Sequence, residues 1–383
     1  MVPHLQIDTA SASLPQSSQA SQYDQRTGFG TMEIGVCIAS HIGDIDYVVE
    51  AEALGYTHAW LADSQMIWSD CYATLALAAS RTSTINLGTG VAITGTRPAP
   101  VNAAGICTIN ALAPGRTFFG VGAGNTAMRI MGLPPHRIRQ YDRYLREVKP
   151  LLRGEETNIR HGEQNIPIRH VMPDEGFVNF DDPVPMYVSG FGPRSLAIAG
   201  KHGDGAVLSL PRSAAAMENV WRMLAANRSE LDRNSFYTTA LTTMVVLQPG
   251  EAIDSDRVKT ECGAFAMAAV HYAYDQFRNF GHQPGNTMAG IWDEYTTMMA
   301  DYDQSRLHQR IHQGHNCWVL PEEEKFLTPE ILRGTCMIGT RDELLERLFE
   351  LDQAGLNQVM ILPNFDPRFQ VLKNISEQII ANI

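Results

Sequence analysis

Residues 85–126, INLGTGVAITGTRPAPVNAAGICTINALAPGRTFFGVGAGNT, decide the fold that this sequence predicts, because they contain two strands and the helix between them. Each strand ends in a turn with closely spaced glycines. The turn residues are Gly88, Thr89 and Gly90 after the first strand, and Gly120, Gly122 and Gly124 after the second. Glycine at the carboxyl end of a buried strand lacks the Cβ that would hold a flat ligand away from the backbone. The stretch therefore predicts two adjacent bare turns that form a floor for a planar cofactor.

The same order of strand, loop, amphipathic helix and terminating glycine recurs along the chain. For example, IDYVVEAEAL ends at Gly55 before THAWLA, and DELLERLFELDQA ends at Gly355 before QVMILP. Glycine just after a helix is the expected left-handed terminator, and strands that alternate with helices pair in parallel. The predicted strands are EIGVCIA, HAWLA, INLGTGV, TFFGVG, VPMYVSG, GAVLSL, YTTALTTMVVL and QVMILP. These eight strands predict an α/β fold of the (β/α)8 TIM barrel type, since a doubly wound sheet more usually has about six strands.

Three segments do not follow this repeat. Residues 1–31 are rich in Ser, Gln and Ala and show neither hydrophobic periodicity nor a signal-peptide pattern, so we predict a disordered N-terminal tail. Residues 32–383 are predicted to form a single barrel domain. Within it, residues 154–182 alternate like a β-hairpin, and residues 250–335 are largely helical. The helical insertion follows the seventh strand, on the active-site face of a barrel, so it could cap the pocket, form a dimer interface, or both.

Charge and composition exclude several classes of function. The 383 residues carry a formal net charge of −12, which argues against nucleic acid and against an anionic membrane surface as partners. No apolar run approaches the roughly 18 residues of a membrane span. The six cysteines are scattered, with no CxxC pair. In a chain of this length, that pattern indicates reduced thiols and a cytoplasmic location.

Two glycine-containing turns are candidate cofactor sites. Residues 122–127, GAGNTA, satisfy the spacing of a dinucleotide-binding turn, but they follow the fourth strand and no acidic residue ends a suitable next strand. We therefore favour the close approach of a flat ring and its ribityl tail. Residues 189–195, SGFGPRS, follow the fifth strand and open a helix at Pro193, so their amides and the helix dipole predict a phosphate cradle. The alternative is a tight turn that only requires small residues.

Polar residues near the predicted barrel mouth are the candidates for chemistry. Asp63 ends the second strand and either hydrogen-bonds a cofactor ring or substrate or is a helix-capping or strand-end aspartate. His41 follows the first strand and is either a proton donor or acceptor or a solvated loop histidine. The most metal-like cluster consists of His308, His312, His315 and Cys317. Because no acidic partner completes an HExxH pattern, we predict surface or interface histidines here and no metal site.

With these turns in order, residues 32–363 resemble the bacterial luciferase-like flavin-dependent oxidoreductases, a (β/α)8 superfamily. The resemblance is strongest to the branch of methylenetetrahydromethanopterin reductase and the deazaflavin-dependent dehydrogenases. It rests on LGTGV, GVGAGN, VSGFGPRS with HGDGAV, and GTRDELLERLFELDQAGLNQVMIL. It implies a flavin or deazaflavin across the barrel mouth, a non-prolyl cis peptide at Gly90–Val91, and the phosphate on residues 189–192. The cofactor-binding residues implied are Asp63, Thr89, Gly90, Val91, Gly122, Ala123, Gly124, Asn125, Ser189, Gly190, Phe191 and Gly192.

One departure limits how far the family's chemistry carries over. The deazaflavin-dependent sugar-phosphate dehydrogenase has a glutamate acid after the glycine turn, whereas this sequence has Asn125, which cannot supply a proton. The candidate catalytic residues are therefore His41, Asp63 and Asn125.

The resemblance implies an enzyme, and we expect a monooxygenase that uses oxygen and reduced FMN supplied by a separate flavin reductase. Hydride transfer with the deazaflavin coenzyme F420 is the alternative. Two alternatives come from other functional classes. One is a flavin-binding protein without turnover, and the other is a barrel lyase that uses only the phosphate cradle. Aromatic residues of the insertion indicate a small hydrophobic or aromatic organic substrate. Alternatively, they belong to the core or to a subunit contact, since we expect a homodimer or higher homo-oligomer. They are Phe265, Tyr272, Tyr274, Trp292 and Trp318.

Overall fold

The computed structural model describes residues 32–228 and 230–383, and the predicted tail at residues 1–31 lies outside this part of the chain. The barrel strands are β1 (Glu33–Ile38), β2 (His58–Leu61), β3 (Asn86–Thr89), β4 (Thr117–Gly122), β5 (Met186–Ser189), β6 (Gly205–Ser209), β7 (Tyr237–Thr242) and β8 (Gln358–Ile361). Each strand pairs in parallel with the next in this order, and β8 pairs with β1, so the sheet closes. The predicted (β/α)8 barrel is confirmed.

A helix follows each of these strands on the outside of the barrel. The helices are α1 (Asp46–Ala53), α2 (Cys71–Arg81), α3 (Ala99–Leu112), α4 (Ile138–Leu151), α5 (Pro193–His202), α6 (Ala214–Leu224), α7 (Arg341–Gln353) and α8 (Arg368–Gln378). Local chemistry sets several of their ends. The side chains of Asp70 and Thr340 accept hydrogen bonds from backbone amides in the first turns of α2 and α7. Gly55 and Gly355 follow α1 and α7 with φ of 86° and 90°, which is the left-handed geometry expected after a helix.

Large side chains fill the inside of the barrel. The ring centroids of Trp60 and Phe118 lie 4.3 Å apart, and those of Tyr187 and Tyr237 lie 5.0 Å apart. The side chain of Gln358 is fully buried among them and accepts a hydrogen bond from Trp60 Nε1 at 2.9 Å. Because the interior is a packed core, as is usual for this architecture, a ligand has room only at the mouth.

Two strands end earlier than their apolar patterns predict. β3 stops at Thr89, the Gly90–Val91 peptide bond is cis as the resemblance implies, and the chain resumes at Ala92–Ile93 alongside β4. β7 stops at Thr242, and Met244–Val246 pairs instead with Met337–Gly339 outside the barrel. Hydrophobic alternation is continuous across both breaks, so the sequence does not reveal where the backbone changes partner.

The insertion after β7 folds around an apolar core of its own. Its helices are Asp256–Phe280, Trp292–Ala300, Leu307–Arg310 and Pro329–Thr335, with 3-10 turns at Asn286–Met288 and Pro321–Phe326. Tyr274 and Trp292 belong to this core, whereas Trp318 is 56% exposed. Of the insertion aromatics, Phe265 and Tyr272 remain as candidates to face a ligand.

The remaining elements are short and lie between the barrel units. They are the helix Asn125–Arg129, the antiparallel hairpin Thr157–His161 and Gln164–Ile168, and the 3-10 turns Pro173–Glu175, Ala225–Asn227 and Ile380–Asn382. Among the residues that the structure describes, no helix combines the length and apolar character needed to cross a membrane.

Candidate cofactor and substrate site

A cavity of about 300 Å³ opens at the carboxyl-terminal mouth of the barrel. Its lining includes eleven of the twelve residues predicted to bind the cofactor: Asp63, Gly90, Val91, Gly122, Ala123, Gly124, Asn125, Ser189, Gly190, Phe191 and Gly192. The ends of β2, β3, β4 and β5 bring these residues together, because parallel strands present all their carboxyl ends at one edge of the sheet.

Thr89 and His41 do not line this cavity. Thr89 is fully buried, and its hydroxyl donates to the carbonyl oxygen of Gly120 at 2.6 Å, so it joins the ends of β3 and β4. His41 is exposed, and its ring centroid lies 5.9 Å from that of Phe365, which follows β8. The expected contact of Thr89 with a cofactor and the expected acid–base role of His41 are therefore not supported by their positions.

The glycines at the ends of the barrel strands serve two different purposes. A Cβ on Gly88 would lie 2.3 Å from the Phe118 side chain, and one on Gly120 would lie 2.1 Å from the carbonyl oxygen of Thr89. For these two positions the prediction of a ligand floor is wrong, because the chain itself takes the space. At Gly192, in the predicted phosphate cradle, an added Cβ would have no heavy atom within 4 Å. Gly192 therefore borders open space that a ligand can enter.

Asp63 is held by other residues of the protein. It is 2% exposed, and its carboxylate accepts from Arg97 Nη1 at 2.7 Å and from the Ile93 amide at 3.3 Å. Burial raises the pKa of this carboxyl, and the Arg97 guanidinium opposes the rise. A second guanidinium nitrogen of Arg97 bonds Asp70 at 2.7 Å. Asp63 therefore positions the segment after the cis peptide, and the sequence analysis missed its partner Arg97.

Tyr141 on α4 also escaped the sequence analysis. Its side chain is 1% exposed, and its hydroxyl lies 2.9 Å from the carbonyl oxygen of Val121 and 3.0 Å from that of Ser189. It therefore ties the glycine turn after β4 to the cradle after β5. The amphipathic pattern of α4 places Tyr141 on a buried face, but it does not show which carbonyls the hydroxyl reaches.

Replacing Tyr141 by Phe should lower the free energy of unfolding by about 1.5 kcal/mol, because two buried carbonyl oxygens lose their shared donor. Tyr47→Phe is the matched control, since the Tyr47 hydroxyl is buried without a hydrogen-bond partner among the described residues. Its removal should change stability by less than about 0.5 kcal/mol. Urea denaturation of both variants measures the difference. Equal effects would show that Tyr141 does not join the two turns.

His136 lines the cavity, although no sequence motif indicates it as a site residue. It lies in the loop before α4, and its Nδ1 is 3.0 Å from Thr94 Oγ1. Burial lowers its pKa, and the charge of Arg143 lowers it further. An imidazole at this position is a candidate to exchange a proton with a bound ligand.

Two of the metal-like histidines, His312 and His315, lie close together, with ring centroids 5.7 Å apart. His312 and His315 are 4% and 9% exposed, so the surface alternative of the prediction is wrong for both, and the interface alternative stays a prediction. His315 lines the cavity, and its Nε2 accepts a hydrogen bond from Asn316 Nδ2 at 2.9 Å. Burial holds its pKa well below the usual value. Within residues 32–228 and 230–383, no group of three or more His, Cys, Asp or Glu side chains could hold a metal ion.

A closed (β/α)8 barrel with a ligand-sized cavity at its glycine-lined mouth is the architecture of a barrel enzyme. The chain belongs to the luciferase-like monooxygenase family, whose family model matches residues 32–358.

Three known proteins illustrate this relationship. The chain is 26% identical to the 5,10-methylenetetrahydromethanopterin reductase of Archaeoglobus fulgidus, over 82% of this chain and 87% of the relative. It matches the structure of the coenzyme F420 dependent tetrahydromethanopterin reductase from Methanopyrus kandleri with a TM-score of 0.65 and 17% identity, over 92% and 98% of the two chains. It also matches the FMN complex of the oxygenating constituent of 3,6-diketocamphane monooxygenase from Pseudomonas putida, with a TM-score of 0.59 and 16% identity, over 92% and 99%. Enzymes of this fold thus include both F420- and FMN-binding members.

Proposed function

We propose that this protein is a deazaflavin-dependent reductase or dehydrogenase, which transfers a hydride between coenzyme F420 and a small organic substrate. The observation that carries the proposal is the sequence similarity to a methylenetetrahydromethanopterin reductase over most of both chains. The FMN-binding monooxygenase shares the fold at 16% identity, which supports architecture alone. This ranking reverses the order in which the sequence analysis placed the two cofactors.

The residues at the barrel mouth fit such a cofactor. Gly90, Val91 and Gly122 line the cavity, so a flat ring system bound there would lie beside the turns after β3 and β4. The cradle at residues 189–192 lies at the start of α5, and helix N-termini favour phosphate. Gly192 leaves open space at this point. When bound there, the deazaflavin supplies the redox chemistry.

The chain's own residues would hold the site and move a proton. The Asp63–Arg97 pair and Tyr141 fix the ends of the strands that carry the turns. His136, engaged at Nδ1 by Thr94, can take or give a proton at Nε2 as the substrate hydroxyl becomes a carbonyl or the reverse. Phe191 and Tyr272, which both line the cavity, would shield it from water.

The test is a comparison of cofactors on one preparation of the protein. F420 and FMN are titrated separately, and the absorbance and fluorescence of each are followed. We expect saturable binding of F420, and reoxidation of reduced F420 by carbonyl compounds under anaerobic conditions. Binding of neither cofactor, or F420 binding without turnover across alcohols, aldehydes and ketones, would count against the proposal.

An FMN-dependent monooxygenase is the second candidate, and the match to the luciferase-like monooxygenase family model favours it. Such an enzyme would need reduced FMN from a separate flavin reductase. The same titration, repeated with reduced FMN, separates the two candidates, because the monooxygenase would bind reduced FMN and use oxygen to oxidise its organic substrate, whereas the dehydrogenase needs no oxygen.

A further inference from the structure

A second and larger cavity, of about 670 Å³, adjoins the cofactor cavity. The two share Phe191, Leu241 and Tyr272 as wall residues. The larger cavity lies between the ends of β6 and β7 and the insertion helix Asp256–Phe280, and its volume is typical of sites for small organic ligands. A molecule bound in it can therefore reach the ring of a cofactor in the smaller cavity.

The wall of this second cavity has an unusual charge for this protein. Its lining contains Arg212 and Arg347 but no aspartate or glutamate. The whole chain, by contrast, carries a net charge of −12. Much of the remaining wall is apolar and includes Leu210, Phe265 and Met288. The cavity thus combines an apolar body with one cationic region.

Arg347 lacks a full set of partners for its charge. Its Nε is buried and has no hydrogen-bond partner among the residues that the structure describes. Burial lowers the pKa of Arg347, and the nearby charge of Arg212 lowers it further. The charge of Glu350 counteracts both effects on the pKa of Arg347, and its carboxylate also accepts a hydrogen bond from the Ala214 amide at 2.9 Å. A partly buried guanidinium facing a second cation is costly, and an anion from outside would offset that cost.

We propose that this cavity binds the substrate and that the substrate is an amphiphilic anion, with a carboxylate or phosphate at Arg212 and Arg347. Its apolar part lies against the insertion helix and extends toward the cofactor cavity. The assignment to a substrate rests on the proposed function, whereas the anion site itself rests on the two arginines. Guanidinium pairs suit both carboxylate and phosphate, since each offers two oxygens to the planar donor set.

The test uses three probes with the same apolar chain: octanoate, octyl phosphate and 1-octanol. Their binding to the purified protein is measured by calorimetry at low and high salt. We expect at least one of the two anions to bind at least tenfold more tightly than 1-octanol, and added salt to reduce the difference. The anion that binds more tightly identifies the head group that the cavity prefers. Equal affinities for all three probes would overturn the proposal.

Arg347→Met, which keeps an unbranched apolar stem and removes the guanidinium charge, should abolish most of this preference, because 1-octanol carries no charge that could lose a partner. Arg341→Met is the matched control, because Arg341 lies on the same helix, pairs with Asp342 and does not line the cavity. A preference for the anion that survives in Arg347→Met would contradict the assignment. Because the probes need no cofactor, a failure of F420 and FMN to bind would overturn the proposed function and leave the anion site standing.

Discussion

Replacing Asp63 by Asn is expected to lower the free energy of unfolding by about 3 kcal/mol. Asp63 is 2% exposed and forms an ion pair with Arg97 at 2.5 Å. Removing one partner of a buried pair typically costs about 3–5 kcal/mol, because the other charge stays buried without compensation. We expect the lower end of this range, because Arg97 keeps its second ion pair, with the half-exposed Asp70 at 2.7 Å.

Asp46→Asn is the control for this prediction. Asp46 pairs with Arg81 at 2.6 Å, but both side chains are at least half exposed, so its loss should cost less than about 1 kcal/mol. Chemical denaturation of both variants provides the comparison. If Asp63→Asn proves as stable as the parent protein yet loses turnover, Asp63 acts directly in the reaction, as the sequence suggested, and does not serve to position the chain.

Replacing Gly192 by Asp is expected to weaken cofactor binding about 100-fold, which corresponds to about 2.7 kcal/mol. The backbone at Gly192 is extended, with φ −123° and ψ 166°, so a side chain is tolerated there. The new carboxylate would enter open space at the N-terminus of α5 and occupy the position that favours the cofactor phosphate. The introduced carboxylate and the cofactor phosphate would repel each other, which weakens binding. The fold itself loses no contact.

Gly192→Asn is the matched control, because it has nearly the same shape without the charge. We expect it to retain affinity within about tenfold of the parent protein, and both variants to keep the parent's melting temperature. Titration with F420 or FMN at two salt concentrations measures the effect, and the Asp variant should recover affinity at high salt. If the Asp and Asn variants bind equally well, the phosphate lies elsewhere.

The sequence predicted the location of the candidate site better than it predicted the role of each residue in it. Glycine turns after the third, fourth and fifth strands were assigned to one end of a parallel barrel, and the structure places them around one cavity. The structure does not support the roles that were predicted for several individual residues. Gly88 and Gly120 make room for protein atoms, and His41 lies away from the cavity. A glycine in a strand predicts close approach, but it does not tell whether a ligand or a neighbouring strand approaches.

Local patterns were sufficient for the architecture of this protein. Alternating strands and helices, and glycines such as Gly55 and Gly355 that end helices, depend on residues near one another in the chain. They therefore predict the barrel and its functional end without knowledge of any distant contact.

Only the tertiary structure decided which side chains meet at that end. Asp63 and Arg97 lie 34 positions apart, and Tyr141 reaches a carbonyl 48 positions away. The charged wall formed by Arg212 and Arg347 joins residues from two different barrel units. Such contacts depend on the direction of each side chain and on the packing of distant segments. Because no short-range periodicity encodes those directions, the glycine turns at the barrel mouth could be predicted from the sequence, and the ion pairs and the cationic cavity could not.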